Sequence, residues 1–126
     1  MPLPETARRQ AERRKLLESE AGRIADQLAR DPTVRQVIAF GSAARGEVRS
    51  FSDLDMIVVM ATELEFIERS AALWRQVRPS VPVDFLVYTP VEFAELKDSR
   101  PFVRQAISEG RILYDADTGT TGSAMA

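Results

Sequence analysis

The 126-residue chain contains no cysteine and no histidine. Without cysteine there are no disulfides and no thiolate metal sites, and a reducing cytoplasm is the expected compartment. Without histidine there is no imidazole general base, no Ser-His-Asp triad and no ordinary zinc site. Chemistry must therefore come from carboxylates, hydroxyls, Arg or Lys, and oxygen donors of that kind suit hard cations such as magnesium. Long apolar runs are missing as well. No stretch approaches the roughly 18 residues that a bilayer span requires, and no secretory signal opens the chain, so no membrane association is expected. A net positive charge is missing too: the formal net charge is −2, which disfavours long nucleic acids as the main partner.

What is present describes an ordinary globular domain. Hydrophobic residues make up 44% of the chain and charged residues 29%, enough for a single core in one domain. "RRQAERRK", Arg8 to Lys15, carries five basic residues. It reads as a solvated helix face, with a docking surface for an acidic partner as the other reading.

Hydrophobic spacing predicts one amphipathic helix from Pro4 to Arg30, with Leu17, Ala21, Ile24 and Leu28 on its buried stripe and Asp31-Pro32 ending it. "TVRQVIAF" is a predicted strand that stops at Gly41-Ser42, and "DLDMIVVM" is a second, apolar enough to lie inside a sheet. Thr62 and Glu65 have the spacing of a capping box, predicting a helix with Leu64, Ile67, Ala71 and Trp74 buried. "VPVDFLVY" alternates into a third strand; Thr89, Pro90 and Glu92 then signal another helix start. "RPFVRQAISEG" reads as a further helix closed by Gly110, and "RILY" as a short last strand. The fold class is α/β in the mixed α+β sense: a small mixed β-sheet flanked by helices, with a long N-terminal helix over 1–31. The domain is expected to span 1–115, and the small, polar, Gly-rich residues 116–126 to form a disordered tail.

Within this frame three acids stand out. Side chains alternate along a strand, so Asp53 and Asp55 point to one face, where two carboxylates form a clamp for a divalent cation. Ordinary turn chemistry at Ser52-Asp53 would also account for the pair. Asp84 lies opposite Val81, Val83, Phe85 and Val87 on its strand, and an ionised Asp among apolar residues is costly unless compensated. An edge strand with that face in water would equally explain it. Gly41 lets the backbone approach a ligand closely, and a strand turning into a helix leaves N–H groups free for phosphate. Ser42 adds a hydroxyl donor and Arg45 a positive charge.

Together, "GSAARGEVRSFSDLD", with ten residues between Ser42 and Asp53, and Asp84 on a later strand resemble the signature of the polymerase-β-type nucleotidyltransferase superfamily. In size the chain is similar to the minimal nucleotidyltransferases encoded beside HEPN proteins as toxin–antitoxin pairs, and "FVRQAISEGRILYD" is similar to their C-terminal stretch. The resemblance implies a single nucleotidyltransferase-fold domain. It also implies that Asp53, Asp55 and Asp84 ligate two magnesium ions and form the catalytic set. Gly41 and Ser42 would hold phosphate oxygens of a nucleoside triphosphate, with Arg45 as helper. The implied function is transfer of AMP from ATP to a tyrosine hydroxyl of a cognate HEPN-type toxin, in a hetero-oligomer. Two alternatives stay open: an antitoxin acting by physical occlusion, and a small-molecule nucleotidyltransferase of the aminoglycoside type.

Overall fold

In a computed structural model, residues 4–41 and 54–119 of the chain are described. Helix α1, Glu5–Ala29, fills the predicted N-terminal segment, and Leu17, Ala21, Ile24, Ala25 and Leu28 are all buried along it. It ends where Asp31 accepts hydrogen bonds from the backbone N–H and the hydroxyl of Thr33, a local turn that competes with further helix. Strand β1, Val34–Phe40, follows at once. Four residues join helix to strand, so α1 doubles back over β1. Only its second half contributes buried apolar residues. The first half, which carries the Arg8–Lys15 basic run, has no fully buried side chain.

Strand β2 is Leu54–Met60, helix α2 Phe66–Val77, strand β3 Val83–Tyr88, helix α3 Pro90–Ser99, helix α4 Pro101–Glu109 and strand β4 Arg111–Asp115. The four strands form one mixed sheet in the order β3-β2-β1-β4. β1 pairs antiparallel with β2 and with β4, whereas β2 and β3 are parallel, joined by the α2 crossover. Such a crossover is what parallel neighbours require. Val37, Ala39, Leu54, Met56, Val58, Val83, Phe85 and Val87 face α1 and α2 on one side. Ile38, Ile57, Val59 and Leu86 face Phe93 of α3 and Val103 and Ala106 of α4 on the other. No helix among the described residues is long and apolar enough to cross a membrane.

Two helix starts contrast. At Thr89 the capping box forms: its hydroxyl accepts from the Glu92 N–H, and the Glu92 carboxylate accepts from the Thr89 N–H. At Thr62 it does not. Thr62 accepts instead from the Leu64 N–H, and α2 begins at Phe66 with no side-chain cap. The expected buried stripe of α2 is corrected too. Ile67 is 85% exposed, Ala71 is exposed, and Leu64 and Trp74 are part-exposed, while Arg69, Leu73 and Val77 are buried. Arg69 sets this orientation, because its guanidinium donates to the Leu64 and Val87 carbonyls and pairs with Glu92. A cation with all these partners can occupy a core-facing position that hydrophobic spacing assigns to an apolar residue. Residues 116–119 continue from β4 as a turn, with Asp117 on Arg35; 120–126 lie outside the described residues.

Candidate active site

The sheet brings two of the predicted acids together. Asp55 is the Cα partner of Asp84 across the parallel β2–β3 ladder. Adjacent strands lie about 4.8 Å apart and register partners share a face. That face is the one covered by α3 and α4, as the alternation Asp55, Ile57, Val59 requires. The carboxylates occupy the end of the face where apolar cover stops: Asp55 is half-buried and Asp84 exposed. β3 is indeed an edge strand, so Asp84 owes no burial penalty, yet its register commits it to Asp55's side. Two ionised carboxylates about 5 Å apart repel by roughly 1 kcal/mol even at the dielectric of water. A divalent cation would reverse that sign.

Gly41 completes this end of the sheet. It follows Phe40, which is the Cα partner of Asp55 on the other flank of β2. Its φ of +81° lies in the left-handed region, where side chains other than glycine's are strained. A Cβ built on it would also overlap the Asp55 carboxylate. The absent side chain is thus what makes room for the Asp55 carboxylate itself. Ser42, Arg45 and Asp53, the remaining predicted site residues, lie outside the described residues. Among the described residues no group of three acids converges to hold a metal ion; Asp55 and Asp84 form a pair, to which Asp53 would add the third donor. The donor set, all carboxylate oxygen, fits magnesium.

Spacing arguments missed two aromatic residues at this end. Phe40, half-buried on the Asp55 face, packs edge-to-face against Phe102 of α4, with centroids 5.9 Å apart and planes at 86°. Gly110, expected to close the helix, does more: a Cβ there would collide with the Ala39 and Ala106 carbonyls, so only glycine lets α4 close this tightly onto β1. The meeting of Phe40 with Phe102 carries no signal that sequence spacing registers, since it is a tertiary contact.

Residues 23–119 match the family model for polymerase beta nucleotidyltransferases, well over half of the chain. The chain belongs to the polymerase-β nucleotidyltransferase family. Two solved structures share this fold. A protein from Sulfolobus solfataricus, assigned provisionally as a nucleotidyltransferase, aligns with a TM-score of 0.55 at 19% identity, covering 95% of this chain and 96% of its own. A toxin–antitoxin structure with AMP-PNP aligns at 0.50 and 21% identity, covering 80% and 75% respectively. The toxin–antitoxin MntA–HepT aligns at 0.44 and 18% identity, covering 82% and 74%. No curated protein matches significantly.

For a nucleotidyltransferase the arrangement has a clear chemical use. Asp55 and Asp84 would hold divalent cation, which when bound neutralises phosphate charge and stabilises the attacking and leaving oxygens of an in-line displacement. With no side chain of its own, Gly41 lets the Asp55 carboxylate lie directly against the backbone at the exit of β1.

Proposed function

We propose that this nucleotidyltransferase transfers AMP from ATP to a tyrosine hydroxyl of a HEPN-type partner toxin and so neutralises it in the cytoplasm. The observation that carries the chemistry is the register pairing of Asp55 with Asp84 beside Gly41. In this reaction the hydroxyl oxygen forms a bond to the α-phosphorus while the bond from that phosphorus to the β-phosphate bridging oxygen breaks, and pyrophosphate leaves. The hydroxyl proton passes to Asp84, the more exposed of the two acids and the one an incoming side chain reaches first. Asp53 and Asp55 grip the triphosphate through magnesium, and Ser42 and Arg45 support its oxygens. The toxin setting is supported by the likeness in fold to a toxin–antitoxin structure with AMP-PNP.

Co-expression with the product of the neighbouring gene, followed by intact-mass measurement, tests the proposal. The partner is expected to gain one or more adenylyl groups with the wild-type chain. With Asp84→Asn, adenylylation should fall by at least about a hundredfold, the scale of losing one transition-state-stabilising group. Protection by Asp84→Asn equal to wild type, with no mass gain on the partner, would establish occlusion instead.

A further inference from the structure

We propose that Phe102 is the platform on which the purine of the nucleotide stacks, which assigns a base-binding role to a residue outside the acidic motif. The inference rests on the nucleotide-transfer reading above and names the contact that reading lacks, a group that touches the base.

Phe102 is 57% exposed although it is a large apolar side chain. It stands in the first turn of α4, directly after Pro101. Its support is rigid: Val103 and Ala106 bury the helix against Ile38, Ile57 and Val59, and Gly110 seats the far end on Ala39. One side of the ring is occupied by Phe40 in the perpendicular contact. Over half of its surface is exposed among the described residues.

Its position relative to the acids is set by the ladder. Phe40 partners Asp55 in register and immediately precedes Gly41, so Phe102 lies one cross-strand step and one ring contact from the Asp55 carboxylate. A nucleotide whose phosphates lie against Asp55 and Gly41 has its base displaced from them by a ribose, and one strand spacing of about 4.8 Å plus the 5.9 Å ring contact keeps Phe102 within that reach. Aromatic rings bind bases through their π-faces, and such stacking is strong enough to anchor a nucleotide. Among the described residues, exposed Phe66 at the start of α2 does not meet this condition. Phe66 stacks on Tyr88, four strand residues beyond Asp84, about 13 Å along β3.

The experiment is calorimetric titration of the full chain with ATP and, separately, with inorganic tripolyphosphate, both with magnesium. Phe102→Ala should weaken ATP about tenfold, the fold-change of losing one base stack, and change tripolyphosphate by less than twofold. Phe102→Trp should keep ATP affinity, and its added indole emission, measured against the wild-type signal from Trp74, should respond to ATP and not to tripolyphosphate. ATP binding that Phe102→Ala leaves intact overturns the proposal while the nucleotide-transfer reading stands. Equal loss of both ligands also overturns it, since the damage would then be to the phosphate site. A wild-type chain that binds neither ligand removes both readings.

Discussion

Gly41 joins two demands that no other residue type meets at once: a left-handed backbone and contact with the Asp55 carboxylate closer than a Cβ allows. Gly41→Ala should therefore do more than strain the turn, which costs about 1–3 kcal/mol. It should also push Asp55 out of line with Asp84. The expected outcome is a lowered urea midpoint together with a loss of ATP affinity that exceeds what the stability change alone predicts, read by denaturation and titration of the same preparation. The sequence made Gly41 visible because glycine at a strand exit is informative in one dimension. The alignment of Asp55 with Asp84 also agrees with the pattern, since the alternation of Val83, Phe85 and Val87 already placed Asp84 on the opposite face. Phe102 was invisible for the converse reason. Its partner Phe40 lies sixty-two residues earlier, and nothing in local spacing encodes that meeting.

Among the elements, α1 divides in two. From Leu17 onward it supplies the core; before that it carries exposed ion pairs of Glu5 with Arg8 and Arg9, each worth under about 1 kcal/mol. Removing residues 1–12 should accordingly shift unfolding free energy by less than about 1 kcal/mol, whereas Leu17→Ala should cost about 2–5 kcal/mol. Urea denaturation of the two variants checks the contrast. The same division explains which elements are legible in sequence. Helix α1 and the strands follow apolar spacing because their buried positions are apolar. Helix α2 misled that reading because Arg69 takes a buried position by satisfying its donors on Leu64, Val87 and Glu92. The Thr89 box formed and the Thr62 box did not, because α2 begins four residues after Thr62 rather than one.

For the molecule as a whole, stability against acid runs through Glu20. This buried carboxylate accepts from Arg23 at 2.6 Å and from the Ser80 N–H, tying α1 to the turn before β3. Arg23 also reaches the Val77 and Arg78 carbonyls. The Arg23 hydrogen bond, opposed by burial and aided by Ser80, lowers the Glu20 pKa to about 2 from 4.5. A folded pKa below the unfolded one means the stabilisation is complete above about pH 4.5 and is lost as pH falls towards 2. Thermal unfolding should stay level between pH 6 and 8, where a chain without histidine has no ordinary side chain to titrate. It should then fall below pH 4.5. Glu20→Gln should be less stable at neutral pH, by an amount on the order of 2 kcal/mol, and should show a shallower acid decline.

The parallel pairing of β2 with β3 has a kinetic corollary. Asp55 and Asp84 are twenty-nine residues apart and meet only after the α2 crossover has closed. A nascent chain that has emerged as far as α2 already holds β1, Gly41 and Asp55 but has no opposing acid. The Asp55–Asp84 pair therefore forms late in synthesis, only once β3 has joined the edge of the sheet, and a translation product truncated before β3 would lack it.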